Sequence, residues 1–198
     1  MDQVANEILK YGGEGIGVAT WTLCREMFRL ERIPKDWAKG LIVPLYKERY
    51  PRVPDNYRGI TLLSVVGKLY TSVLNKRLSS WCEKSNVLSE EQAGFRADRC
   101  TVDHIFSLSE VVRSRMSQGL ETHCCFLDIR KAYDTVFRDG MWKRLLEVGI
   151  GGKMWRVLRN IYETVESCVV VGKERTDWFQ QNLGLQGCAI TNFVCDLH

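Results

Sequence analysis

The sequence predicts an α+β fold in which helices pack on an antiparallel sheet. Helical periodicity runs over residues 65–82 and 101–116, where apolar residues recur every three or four positions. Short apolar runs typical of strands occur before, between and after these helices. The helices and strands do not alternate regularly, which argues against a doubly wound parallel sheet.

Length and composition indicate a globular protein. The chain has 198 residues, of which 45% are hydrophobic, enough for one large domain or two small lobes with a real core. Disorder is therefore not expected. The net charge of +4 is compatible with a phosphate-bearing partner, but many proteins with such a charge bind none.

The eight cysteines do not indicate a secreted disulfide framework. The N-terminus MDQVANEILKYGG contains no apolar signal core, so a reducing intracellular compartment is expected, with nucleus and cytoplasm both left open. No two cysteines have the CxxC spacing of a zinc site. The apolar runs are much shorter than the roughly 20 residues of a membrane helix, so no membrane partner is expected. The oligomeric state is not indicated.

The first part of the chain predicts a helix, a strand and a loop in that order. A helix is expected over 16–30, ended by Pro34. The apolar run 40–46 contains Pro44, which favours an edge or bulged strand over a central one. Charged residues and prolines over 47–55 indicate a loop.

Between the two long helices, residues 92–99 (QAGFRADR) form a basic, glycine-containing turn. Thr101 is the expected N-cap of the second helix. The segment HCCFLDI, residues 123–129, predicts a buried strand because it is continuously apolar up to its aspartate.

The remaining elements are two helices and a hairpin. A helix is expected to be capped by Asp139 and ended by Gly149, and a further helix covers 153–163. Residues 167–181 predict a hairpin of two half-apolar strands around a turn from Gly172 to Asp177.

The segment FLDIRKAYDTV, residues 126–136, is the most informative for function. An aspartate directly after an apolar strand is held at a rigid edge, where its carboxylate suits a hard divalent cation with oxygen ligands. Asp128 is this candidate. The plain alternative is that Asp128 and Asp134 simply open a turn.

Five blocks of sequence are informative together. They are IPKDWAKGLIVPLYK, NYRGITLLSVVGKLYTSVLNKRL, EEQAGFRADRCTVDHI, FLDIRKAYD and GLQGC. In this order they resemble the reverse transcriptases of non-LTR retrotransposons. They cover about residues 33 to 188 and make a specific match, whereas one block would be weak.

The resemblance implies a right-hand polymerase fold with fingers at 39–118 and an incomplete palm at 119–198, after an N-terminal helical extension at 1–38. It implies two Mg²⁺ ions bound by Asp128, with the Ile129 carbonyl as a further oxygen ligand, for in-line phosphoryl transfer. The implied partners are an RNA template, a DNA primer and deoxynucleoside triphosphates.

The resemblance also implies a nucleotide site. Arg58 and Lys47 correspond to finger residues that grip the triphosphate, a role that suits a guanidinium fork and a flexible ammonium. Tyr133 corresponds to the aromatic gate that collides with a 2′-hydroxyl. Gln186 and Gly187 correspond to the motif that lies along the incoming nucleotide.

Plain alternatives stay open for several of these residues. A loop lysine such as Lys47 is usually solvated, Tyr133 is compatible with a core position, and Gln186 with the polar end of a hairpin.

The turn 92–99 is the candidate contact with the template strand. Gly94 would allow close approach of the backbone, while Phe95 and Arg96 would pack against the template and neutralise its charge. Phe95 is equally compatible with an anchor in the core.

The chain ends at His198 before the paired-aspartate block and the thumb that the family carries. One carboxylate and one carbonyl do not hold two octahedral Mg²⁺ ions, so we expect the isolated chain to be inactive. Two other interpretations remain: a reverse transcriptase of the group II intron maturase type, and a non-catalytic nucleic-acid-binding remnant of a decayed element.

Overall fold

The computed structural model describes residues 4–47, 50–129, 135–163 and 165–181. Within these ranges the chain forms helices and a small mixed sheet, as the predicted α+β class requires. The helices are α1 (Asn6–Tyr11), α2 (Gly13–Leu30), α3 (Val65–Lys84), α4 (Thr101–Ser117), α5 (Arg138–Glu147) and α6 (Gly152–Glu163). The strands are β1 (Lys39–Tyr46), β2 (Tyr57–Leu62), β3 (Glu166–Val171), β4 (Glu174–Arg175) and β5 (Phe179–Gln180).

Helix α3 is the centre of the hydrophobic core. The Ser64 hydroxyl accepts a hydrogen bond of 2.9 Å from the Gly67 amide and so caps the first turn. Residues four apart on one face, Tyr70, Leu74 and Leu78, are each at most 2% exposed. They pack with buried residues of α5 and α6, namely Met141, Leu145, Val157, Leu158, Ile161 and Tyr162.

The sheet is mixed, so the prediction of an antiparallel sheet is wrong in part. Its strand order is β2-β1-β3-β4, with β5 also paired to β3. Strand β1 runs antiparallel to β2 but parallel to β3. A parallel pair needs a long crossover, and the chain between β2 and β3, which contains α3 to α6, provides it.

Pro44 shows why β1 is neither simply an edge strand nor simply a central one. The parallel pairing with β3 involves β1 residues 39–42, whereas the antiparallel pairing with β2 extends to Tyr46. Pro44 lies opposite Gly59 of β2, beyond the part paired with β3. The edge character predicted from Pro44 therefore applies to the second half of the strand.

The prediction of a buried strand over 123–129 is wrong. These residues have no regular secondary structure, and Phe126 and Leu127 are 83% and 92% exposed. An apolar run forms a strand only where a neighbouring strand supplies hydrogen bonds, and no strand among the described residues pairs with this segment. Helix α4, which precedes it, is likewise exposed along its apolar positions.

Helix limits agree with the sequence more closely than helix caps do. Cys100, rather than Thr101, is the N-cap of α4, and its amide donates to the Asp103 carboxylate over 2.7 Å. Asp139 lies inside the first turn of α5 and does not cap it. Gly149 follows the end of α5 with a φ of 94°, the left-handed conformation that makes glycine favourable there.

The predicted hairpin is present with a tighter turn than expected. Val171 of β3 pairs with Glu174 of β4, so the turn consists of two residues, beginning at Gly172 with a φ of 62°. The strand pairing of β5 with β3 then follows after this short hairpin.

Glu31, at the end of α2, contacts α6 through both its side chain and its backbone. Glu31 ends α2 in a left-handed conformation with a φ of 56°. Its carboxylate accepts two hydrogen bonds from the Arg156 guanidinium, at 2.6 and 2.8 Å, and its carbonyl accepts one from the Asn160 amide at 2.7 Å. No described helix is both long and apolar enough to cross a membrane.

Candidate functional site

Two cationic candidates, Lys47 and Arg58, lie at the loop end of the β1–β2 hairpin, where residues 47–56 connect the two strands. Leu45 is opposite Arg58 in the strand register, and the Lys47 amide donates to the Asn56 carbonyl over 2.9 Å, which extends the ladder by one step. Side chains alternate along a strand, so Lys47 projects to the same face as Leu45. Lys47 and Arg58 are therefore diagonal neighbours on one face.

Both cations at the hairpin end are exposed. Neither has an ion pair with another side chain among the described residues. Next to them the rings of Tyr46 and Tyr57 pack with their centroids 5.4 Å apart, and the Tyr57 hydroxyl donates to the Pro51 carbonyl over 2.8 Å. These contacts brace the hairpin end, so two positive charges project from a supported platform.

The turn that contains Gly94, Phe95 and Arg96 lies in the connection from α3 to α4. Arg96 uses its guanidinium within the protein: Nε and Nη2 donate to the two carboxylate oxygens of Glu83, at 2.9 and 2.8 Å. Its Nη1 donates to the carbonyls of Ser89 and Gln92, at 2.8 and 3.2 Å. The arginine thus joins the end of α3 to the turn.

The hydrogen bonds between Arg96 and Glu83 shift the pKa of both side chains. The hydrogen bond from Arg96 lowers the pKa of the Glu83 carboxyl, and the same bond raises the pKa of Arg96. The Arg96 side chain is 7% exposed, so little of its guanidinium faces solvent. Sequence reasoning missed Glu83, because a partner 13 residues away on the preceding helix leaves no local pattern.

Phe95 is exposed, whereas the side chain of the adjacent Arg96 is nearly buried. Phe95 is 59% exposed and has a φ of 56°, a conformation that bulky side chains rarely adopt. Backbone outliers of this kind persist where surrounding contacts impose them, and the adjacent residue Arg96 is fixed by four hydrogen bonds. Of its two predicted environments, Phe95 has the exposed one and is not a core anchor.

Asp128 and Ile129 lie in the irregular segment that follows α4. Both are exposed, Ile129 at 73%, so the Asp128 carboxylate is open to solvent rather than buried in a dry core. Three other predicted site residues, Tyr133, Gln186 and Gly187, lie outside the described residues.

Asp128 and the Ile129 carbonyl are the kind of ligand that Mg²⁺ binds, but the described part of the chain offers too few such ligands for a complete site. A carboxylate and an adjacent carbonyl are the hard oxygen ligands that Mg²⁺ prefers. However, no group of three or more histidine, cysteine, aspartate or glutamate side chains suited to a metal ion occurs among the described residues. Asp128 alone therefore does not complete a site there.

Comparison with known proteins gives one family. Residues 45–198 match the family described as reverse transcriptase (RNA-dependent DNA polymerase), which is more than three quarters of the chain. The match includes the β1–β2 hairpin end, the turn 92–99 and the segment around Asp128.

Relatives similar in sequence come from mobile elements. The chain is 33% identical over 114 residues to a probable RNA-directed DNA polymerase from transposon X-element of Drosophila melanogaster, covering 57% of this chain and 13% of the relative. It is 28% identical over 116 residues to the corresponding protein of transposon BS from the same organism, covering 58% and 13%.

A third relative is the retrovirus-related Pol polyprotein from type-1 retrotransposable element R2 of Popillia japonica, 29% identical over 118 residues, covering 60% of this chain and 16% of the relative. The chain therefore spans only a small part of the length of the relatives it matches. It belongs to the reverse transcriptase (RNA-dependent DNA polymerase) family and is similar to the polymerases of non-LTR retrotransposons.

Proposed function

We propose that this chain forms part of an RNA-directed DNA polymerase of a non-LTR retrotransposon, which adds deoxynucleotides to the 3′-hydroxyl of a primer on an RNA template. The observation that carries the proposal is the family match over residues 45–198, within which Lys47 and Arg58 are neighbours on one face of a hairpin. In this proposal, residues 39–118 form the fingers, residues 119–198 belong to the palm, and residues 1–38 are an N-terminal extension.

The hairpin end binds the triphosphate of the incoming nucleotide. A triphosphate carries several negative charges close together, and the planar guanidinium of Arg58 matches two of its oxygens while Lys47 adds a flexible point charge. The absence of competing ion pairs within the described residues supports this role, because both cations are then available. Tyr133, Gln186 and Gly187 complete the nucleotide site in the proposal.

Asp128 is the catalytic carboxylate in this proposal. The family generally uses divalent metal ions, and Asp128 with the Ile129 carbonyl would hold Mg²⁺, which stabilises charge on the transferring phosphate when bound. The exposure of Asp128 is compatible with this, since an ion with several remaining water or phosphate ligands needs an open carboxylate.

The turn 92–99 contacts the template, and Gly94, Phe95 and Arg96 have different roles in that contact. Phe95 offers an exposed ring on which a base can stack, and Gly94 allows the backbone to approach. Because the Arg96 guanidinium is occupied by Glu83 and two carbonyls, Arg96 acts by holding the turn rather than by neutralising phosphate.

The experiment measures binding of Mg²⁺·dTTP to the chain by equilibrium dialysis. Arg58→Ala should weaken binding by about tenfold, since a charge-assisted contact with phosphate is worth roughly 1.5–3 kcal/mol. Arg113→Ala is the matched control, because Arg113 is an exposed helix arginine already paired with Glu110 at 2.8 Å. Equal loss in the two variants, or no loss in Arg58→Ala, would contradict the assignment.

A non-catalytic nucleic-acid-binding protein is the other candidate, and its behaviour differs. Such a protein would bind RNA with a steep dependence on salt, but Mg²⁺·dTTP would bind weakly and equally to the wild type and to Arg58→Ala. The same dialysis experiment therefore separates the two functions.

A further inference from the structure

A cavity lies between α2 and α3, and its lining contains neither Asp128 nor any residue of the hairpin end. Its volume is about 400 Å³, within the range of small-molecule sites. The walls are largely apolar and aromatic, and no acidic side chain lines it. The lining residues that matter for its chemistry are Trp21, Cys24, Arg25, Phe28, Tyr70 and Arg77.

The floor of this cavity contains a polar group without a partner. Tyr70 is 2% exposed, and its hydroxyl has no hydrogen-bond partner among the described residues. Burial raises the pKa of this hydroxyl, and Cys24 raises it further, so it remains a protonated donor. A buried hydroxyl without a partner costs free energy, and because this hydroxyl is closed off from solvent, a ligand would reach it only if the Tyr70 ring shifts.

The rim carries two arginines stacked on the aromatic walls. The Arg25 guanidinium lies 5.0 Å from the Trp21 ring centroid, and the Arg77 guanidinium 5.5 Å from that of Phe28. Both arginines are exposed, and neither forms an ion pair with a described residue. The rim is therefore positive, with no neighbouring carboxylate in the cavity to neutralise it.

We propose that this cavity is a second nucleotide-binding site, in which a base enters between α2 and α3 and its phosphate lies between Arg25 and Arg77. The aromatic walls match the faces of an unstacked base, and the two rim arginines match the charge of its phosphate. The occupant is a free nucleotide or one unit of single-stranded RNA, since both present the same chemistry.

Peptide-resolved alkylation of Cys24 by N-ethylmaleimide reports occupancy of the cavity. Cys24 lines the cavity, while Cys100 is exposed on another part of the chain and serves as an internal reference. Uridine 5′-monophosphate or oligo(rU) should slow alkylation of Cys24 in a saturable manner without affecting Cys100. Uridine, which lacks the phosphate, should require about tenfold higher concentration.

The two nucleotide arms distinguish the sources of the ligand. Protection at lower nucleotide concentration by oligo(rU) than by the monophosphate assigns the site to an RNA strand, whereas equal protection assigns it to free nucleotides. Either result supports the proposal. No protection by either, or equal protection by uridine and its monophosphate, would overturn it.

Equilibrium dialysis with uridine 5′-monophosphate adds a readout that does not depend on thiol reactivity. Arg77→Gln should weaken binding by about tenfold, while Arg113→Gln should leave it unchanged, with circular dichroism to check that each variant is folded. Arg58→Ala, which tests the polymerase site, should not affect this cavity. Insensitivity of binding to Arg77→Gln would refute the site even if the polymerase function holds.

Discussion

Substitution of Gly40 by alanine tests the centre of the sheet that supports the hairpin. Gly40 is buried in β1 and lies opposite Ser167 of the parallel strand β3. A Cβ at this position would be 2.6 Å from the Thr61 Cγ2 atom and 3.3 Å from the Ser167 Oγ atom. The first distance is too short for carbon atoms, so β1 and β2 would have to move apart.

Overpacking of this kind costs about 1–3 kcal/mol, and we expect Gly40→Ala to lower the free energy of unfolding by that amount. Thr61→Ser removes the clashing methyl group and keeps the hydroxyl, so the cost of Gly40→Ala should fall by about 1 kcal/mol or more in that background. Urea unfolding followed by circular dichroism measures all four proteins of the cycle.

Gly15→Ala in α2 is the control, because no atom lies within 4 Å of its added Cβ. Alanine there should be neutral or stabilise the helix by up to about 1 kcal/mol. The account of the sheet would be refuted if Gly40→Ala were as stable as wild type. It would also be refuted if Thr61→Ser gave no rescue, since the register of β1 against β2 would then differ.

Three further predictions concern the core and the two long-range ion pairs. Leu158 is 0% exposed, so Leu158→Ala should lower the free energy of unfolding in urea by about 2–5 kcal/mol. Leu146 is 51% exposed, so Leu146→Ala should lower it by less than about 1 kcal/mol. Equal losses in the two variants would contradict the core assignment. The Arg156 hydrogen bond lowers the pKa of Glu31. Its stabilisation is therefore fully present above the ordinary carboxyl pKa and is lost as the pH falls through the lowered value. Glu31→Gln should show a weaker acid destabilisation than wild type, and parallel curves would exclude the linkage. Arg96→Lys loses the two-point contact with its carboxylate partner, so amide hydrogens over 85–100 should exchange faster than in wild type, whereas unchanged protection would mean that the clamp does not hold the turn.

Helix positions follow from the sequence because the information is local. The helices predicted over 65–82 and 101–116 are present as α3 and α4, with ends shifted by two residues or fewer. Their apolar spacing marks the helix whether or not the buried face has a partner, and α4 remains exposed. The N-cap residue is harder to predict from the sequence. Cys100 rather than Thr101 caps α4, and this depends on the Asp103 carboxylate, which accepts a hydrogen bond from the Cys100 amide.

Strand pairing and tertiary ion pairs could not be predicted in the same way. The parallel pairing of β1 with β3 joins residues 39–42 to 166–169, and no local pattern records a partner so distant. The run 123–129 looks like a strand by composition but lacks a described neighbour, so its apolar residues remain exposed. The Glu31–Arg156 contact spans 125 residues, and either residue alone looks like an ordinary surface charge.

The candidate site also has features that the sequence predicts and features that only the structure provides. Motif resemblance predicts that Lys47 and Arg58 grip the triphosphate, and the register of β1 against β2 makes these two residues neighbours. Resemblance also predicts that Arg96 contacts the template, but in the structure its donors are directed to Glu83, Ser89 and Gln92. That difference transfers the proposed template contact to Phe95, whose ring is exposed.

Template-directed selection of the incoming nucleotide tests the polymerase assignment most directly, and it does not require turnover. The lifetime of the complex between this chain and a primer–template is measured with Mg²⁺ and each deoxynucleotide in turn. On poly(rA)·oligo(dT), dTTP but not dGTP should prolong the lifetime, and on poly(rC)·oligo(dG) the preference should reverse, with both effects lost in Arg58→Ala. Equal lifetimes with both nucleotides on both templates would contradict a polymerase site in this chain.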